Sequence, residues 1–189
     1  MIGAISNLAT AFGLSTSAGL NAYVPLLIVA LAARFTPWMR LNPPFDALTN
    51  PWVIGVLVVL LAIEVVADKV PVVDSANDTI QTLIRPAAGA ILFAASTNVI
   101  AEVHPVLAMV CGVILAGGVH AVKATARPVI TATTGGLANP VVSAAEDVAS
   151  AVTSLIAVLV PLLAVFLVLG LALGVALWRH GRLRRAPQA

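Results

Sequence analysis

"VHAVKATARPVITATTGGLANPVVSAAED", residues 119–147, is the stretch on which the fold turns. Here a His, a Lys, an Arg, a Glu and an Asp stand around small polar residues, between segments made almost wholly of Ala, Val, Leu and Ile. His120, Lys123, Arg127, Thr131 and Thr134 recur at steps of three and four, so a helix sets them on one face. Pro128 predicts a kink in that helix and leaves the carbonyl of residue 124 without its donor. Gly135-Gly136 predicts the helix end. Asn139-Pro140 predicts the next start, a capping residue followed by proline where its missing N–H costs nothing, with Glu146 and Asp147 in the second turn. The expectation is an interruption between residues 127 and 140, buried in the bundle, that folds the cations back onto the carboxylates. A break at membrane depth is tolerated only where protein or water satisfies the exposed backbone groups. A helix start near Asn139 would also offer N–H groups to an anion.

The flanking composition names the solvent. Sixty per cent of the 189 residues are hydrophobic and 10% charged, against about a quarter charged in soluble domains; the mean hydropathy is +1.06. No charged residue occurs from Met1 to Ala33 or from Val148 to Trp178, and about 20 apolar residues suffice to cross the hydrocarbon core. The pattern predicts an all-α, polytopic transmembrane helix bundle of about five to six spans, with residues 1–178 as one transmembrane domain and 179–189 as a basic tail. Met1–Gly13 lacks the Lys or Arg that opens a cleaved signal peptide, so this segment is expected to be retained. The single Cys111 excludes an intrachain disulfide.

Proline punctuates the spans. Asn50-Pro51, Arg85-Pro86 and His104-Pro105 read as helix starts, giving spans over 18–35, 52–68, 86–101, 105–122 and 154–177, with Met1–Leu14 a short leading helix. The tail "WRHGRLRR" (178–185) carries four arginines and reads as a cytoplasmic anchor in the cell membrane, which makes the C-terminus cytoplasmic. Two echoes suggest an internal repeat with broken or re-entrant segments, as in many transporters. "SAGLNAYVP" (17–25) resembles "TGGLANPVV" (134–142), and "IRPAAGA" (84–90) resembles "ARPVITA" (126–132).

A second polar region precedes the first. Glu64 and Asp68, four apart, share a helix face, and Lys69 follows them. Asp74, Asp78, Gln81 and Arg85 then form one stripe of an amphipathic helix whose other side is Ala76, Ile80, Leu83 and Ile84. The stripe either lies in water at the interface or lines a polar pocket. Ionisable groups within membrane segments are costly and face a cavity or one another. The candidate ligand- or ion-binding set is therefore Glu64, Asp68, Lys69, Asp74, Asp78, Arg85, His120, Lys123, Arg127, Asn139, Glu146 and Asp147. The same charges could instead serve as internal ion pairs that hold the bundle together.

Catalytic motifs are weak. Asp74-x3-Asp78 lacks the fuller Asp-rich metal–diphosphate signatures, and Lys123-x3-Arg127-Pro128 is too short for a lipid-phosphatase motif. His104, Cys111 and His120 have no zinc spacing, and Ser143 and Ser154 no evident base, so no catalytic residue and no cofactor is assigned. The stretches "SAGLNAYVPLL" (17–27), "ADKVPVVDSANDTIQTLIRPAAGA" (67–90), "GGVHAVKATARP" (117–128) and "TTGGLANPVVSAAEDV" (133–148) resemble the DUF4126 family of small multi-span membrane proteins, over roughly residues 10–165. That resemblance implies a membrane architecture and no particular activity.

Three functions remain open. The first is a small transporter or channel-like protein with a charged intramembrane site. The second is a structural or accessory subunit of an envelope or energy-transducing complex, and the third an enzyme acting on a lipid phosphate with Mg²⁺. The expected partners are the lipid bilayer and, for a subunit, a second copy or another membrane protein. Nucleic acid is not among them.

Overall fold

A computed structural model describes residues 2–68, 71–96 and 104–160, with side chains for 5–68, 77–96 and 104–160. The described residues form six α-helices and no strand. These are α1 (Ile2–Leu20), α2 (Tyr23–Phe35), α3 (Pro51–Ala67), α4 (Pro71–Ser96), α5 (Pro105–Thr134) and α6 (Asn139–Val160). A 3₁₀ turn, Phe45–Thr49, links α2 to α3.

Helices α1, α4, α5 and α6, to which α3 brings two carboxylates, pack as a bundle. Small residues bring them close, the device by which helices associate where lipid supplies no hydrophobic drive. Gly89 of α4 lies on the backbone of Gly112 and the methyl of Ala116 in α5, so a Cβ at either glycine would collide with the other helix. A Cβ at Gly13 would come within 2.7 Å of the Cβ of Ala157 in α6. Hydroxyls tie the same surfaces. Ser15 Oγ donates to Gly89 O (2.9 Å), Thr10 Oγ1 to Ala157 O (2.8 Å), and Ser17 Oγ sits 2.8 and 2.6 Å from the hydroxyls of Ser150 and Ser154.

Several expected boundaries shift. The start at Asn50-Pro51 holds, with Asn50 Oδ1 accepting from Trp52 N at 2.9 Å. Pro86 does not start a helix: α4 begins at Pro71 and runs through it. Pro128 lies inside α5 and Gly135 caps its end, as expected, so the span 105–122 is only the first part of that helix. Proline in a helix interior removes one i→i−4 bond without ending the helix when packing on both sides outweighs that loss. The span expected over 18–35 is two helices. Pro25 cannot donate to the carbonyl of Asn21, four residues back, and the helix parts at 21–22. The last span begins at Asn139 rather than 154. Residues 161–177 of that expected span and the 179–189 tail, like 97–101 of the third, lie outside the described residues. Among the described residues only α5 and α6 are long and apolar enough to cross a membrane; α2 and α3 are shorter apolar helices. The five to six spans of the sequence reading thus reduce, among the described residues, to two that meet that criterion.

Candidate functional site

The end of α3 and its C-cap supply two carboxylates, Glu64 and Asp68, which face different cations. Glu64 Oε1 accepts from Arg85 Nη2 at 3.0 Å, with both side chains essentially unexposed. Asp68 Oδ2 lies 3.8 Å from Lys123 Nζ and 3.9 Å from Arg127 Nη2. Helix α6 closes the second group, because Glu146 Oε2 receives both Lys123 Nζ (3.0 Å) and Arg127 Nη2 (2.6 Å). Lys123 and Arg127 are one turn apart on α5, and the shared oxygen offsets their mutual repulsion. Ser143 Oγ and Asn77 Nδ2 complete Asp68, at 3.1 and 2.8 Å. Charged groups this far from water require such partners on nearly every atom.

The first group fixes a proton position. Arg85 Nη1 is 3.0 Å from His120 Nδ1, and a guanidinium can only donate, so Nδ1 is the unprotonated nitrogen. The ring proton therefore sits on Nε2, which donates to Thr82 Oγ1 at 3.0 Å, and that hydroxyl donates on to the carbonyl of Asp78 at 2.9 Å. His120 is neutral in this arrangement. Asp78 Oδ1 lies 3.7 Å from Arg85 Nη1, beyond hydrogen-bond range.

The parting of α1 and α2 joins the site. Asn21 Oδ1 accepts from both Tyr23 N and Val24 N at 3.0 Å, replacing the backbone acceptors those amides would have in a continuous helix. Leu20 O, relieved of Val24 N, accepts from Lys123 Nζ at 3.3 Å. A cation at the carbonyl end of a helix is also favoured by its dipole. Asn21 Nδ2 reaches Asp147 Oδ1 at 2.9 Å, which brings that carboxylate to the α1 side of the layer.

Of the twelve residues singled out from sequence, the fold thus brings Glu64, Asp68, Asp78, Arg85, His120, Lys123, Arg127, Glu146 and Asp147 into one layer. Asn139 stands apart. It is buried against Thr131, its Nδ2 2.9 Å from Thr131 Oγ1, and locks the α5–α6 turn rather than meeting the charges. Lys69 lies outside the described residues, as does the side chain of Asp74. Asn21, Asn77, Thr82 and Ser143 were missed. Their polarity is ordinary; only the proline four residues after Asn21 marked that position.

Between α4 and α5 an open cavity of about 570 Å³ meets this layer, lined by Asp78, Thr79, Thr82, Ala124, Arg127, Pro128, Thr131 and Ala132. The stripe on α4 faces inward: Gln81 and Arg85 are buried, while Ile80 and Leu83 are exposed on the opposite side. Among the described residues no group of three His, Cys, Asp or Glu side chains could hold a metal ion.

Residues 8–180 match the family model described as "Domain of unknown function (DUF4126)", a wider reach than the 10–165 carried by the sequence motifs. No curated protein and no solved structure matches the chain.

Proposed function

The chain belongs to the DUF4126 family, and we propose that it is a small multi-pass transporter or channel-like protein of the cytoplasmic membrane. Its C-terminal tail would be cytoplasmic and its polar site the charge layer of α3–α6. One observation carries this reading: the molecule is apolar outside and ionic inside. Arg85, Glu64, Asp68, Lys123 and Arg127 are all at most 5% exposed, whereas Trp52 is 84%, Val122 70% and Leu137 85% exposed. Large apolar side chains are exposed on both flanks of the layer along the α5–α6 hairpin, Ile114 on one and Val129 and Val141 on the other. Lipid is the solvent that such a surface suits, and buried ionisable groups beside a cavity are the usual mark of a solute or ion path.

The tight pairing of 2.6–3.0 Å around Glu146 and Glu64 is what a structural subunit of a larger membrane complex would share. The cavity reaching Asp78 and Arg127 favours transport over that second reading. Lipid-phosphate chemistry receives less support, because Asp78 faces Arg85 and the described residues offer no metal cluster.

The test is flux. Purified protein in phosphatidylcholine vesicles should raise permeability above that of protein-free vesicles for at least one of three small solute classes: amines, carboxylates or neutral polyols. Stopped-flow light scattering reads this directly. Permeability equal to that of empty vesicles for all three would overturn transport and leave the subunit reading.

A further inference from the structure

We infer that the cavity between α4 and α5 is a binding site for a small primary ammonium, with Asp78 as its counter-ion; this names the substrate class of the transport site proposed above and rests on that reading.

Charge balance comes first. Five carboxylates of the layer (Glu64, Asp68, Asp78, Glu146, Asp147) share three cations (Arg85, Lys123, Arg127), and Asp147 is held by Asn21 Nδ2 at 2.9 Å. Lys69 and Asp74, one of each sign, lie outside that set. Of the four carboxylates besides Asp147, Asp78 is the least well paired. Its ion pair with Arg85 is long, its buried Oδ1 has no hydrogen bond, and it lines the cavity. Arg127 also lines the cavity but is committed to Glu146 at 2.6 Å and Asp68 at 3.9 Å, so it offers little to an anion.

The backbone supplies a second, independent argument. Pro86 and Pro128 lack the N–H groups that a regular helix would give to the carbonyls of Thr82 and Ala124. Both residues line the cavity. Two carbonyls deprived of their regular helical donor thus belong to residues on the two walls, beside a carboxylate, and an ammonium brings three donors and one positive charge. Size and surface suit a small organic cation. About 570 Å³ is in the range of small-molecule sites, and Ala124, Pro128 and Ala132 offer apolar wall for a short carbon chain.

The full-length protein in detergent micelles tests this with n-propylammonium chloride, against sodium chloride and sodium propionate at equal ionic strength. Propylammonium alone should raise the unfolding midpoint saturably, by about 5–10 °C at a hundredfold excess over Kd. The rise should vanish in Asp78→Asn and in Ala132→Leu, an uncharged change that fills the cavity and keeps the assignment testable if Asp78→Asn does not fold. An equal rise with sodium, a rise with propionate, no rise at all, or a rise undiminished in both variants would each overturn the site. Vesicle flux at acidic pH separates the two readings. Binding without protein-dependent propylammonium flux keeps the site and overturns transport, whereas flux that survives Asp78→Asn keeps transport and overturns the site.

Discussion

Two places in the molecule share the letters Gly-Leu followed by Asn, and they do opposite things. At 19–21 the chain parts between α1 and α2 in the buried centre; at 136–139 it turns between α5 and α6 at a tip where Leu137 is exposed. The difference lies in where proline falls. Pro25 stands four residues after Asn21, where it withholds the donor that Asn21 O would receive, and the freed groups are taken up by Asn21 Oδ1 and Lys123. Pro140 stands one residue after Asn139, in the first helical turn, where no donor is needed and proline helps the helix begin. A break inside the bundle is thereby made into part of the site, while a break at the tip only reverses the chain. The second echo behaves otherwise: Arg85-Pro86 and Arg127-Pro128 both lie inside helices with the arginine buried.

The comparison is put under most stress by removing a cation from the central layer. Arg127→Ala leaves Glu146 with Lys123 alone and takes a partner from Asp68. Stripping one partner from a buried pair costs about 3–5 kcal/mol, so this variant should unfold far earlier than wild type or fail to accumulate. Leu137→Ala at the tip, where the side chain is 85% exposed, should stay within about 0.5 kcal/mol. Thermal unfolding in micelles reads both, and similar losses would mean that the layer holds less energy than its geometry implies.

A smaller effect distinguishes the two asparagines. Asn21→Ala removes the acceptor of two amides and the donor to Asp147, all in the interior. Each unmade buried hydrogen bond costs about 1–3 kcal/mol, so the loss should be about 2–4 kcal/mol. Asn139→Ala forfeits its contacts with Thr131, for about 1 kcal/mol. Amide hydrogen exchange at Tyr23 and Val24 should rise sharply in the first variant and stay unchanged in the second. Slow exchange at both amides in Asn21→Ala would show that the break is held by something other than this side chain.

These contrasts mark what the sequence made legible. The periodicity of His120, Lys123 and Arg127 located one wall of the layer, and the i, i+4 pair Glu64 and Asp68 another, because helical spacing fixes which side chains share a face. Gly135-Gly136 and Asn139 located the turn for the same local reason. What stayed hidden was non-local. Pro86 looks like a helix start, yet α4, packed on α5 through Gly89 and Gly112, runs through it. Nor does any local rule say that Glu64 goes to Arg85 and Asp68 to Lys123, since that choice depends on how α3 is set against α4 and α5. The expected buried break at 127–140 was placed by counting glycines and prolines. Burial, which decides whether a break forms part of a site, belongs to the tertiary structure.

The smallest predicted effect tests the tip by itself. Gly135 has φ +62°, and nothing lies within 4 Å of where its Cβ would be, so a side chain there meets only backbone strain. Its N–H closes the last turn of α5 onto Thr131 O, the left-handed cap that glycine favours. Gly135→Ala should therefore lose about 1 kcal/mol. Gly135→Asn should lose only a few tenths, because asparagine tolerates the left-handed region. Neither variant should alter vesicle flux, since the ion pairs of Lys123 and Arg127 with Glu146 are set by the helices on either side of the turn. If alanine and asparagine prove equally harmful, the tip is packed against something, a neighbouring chain being the obvious source. If flux falls while stability holds, the turn takes part in the proposed transport, and the contrast between the two breaks no longer stands.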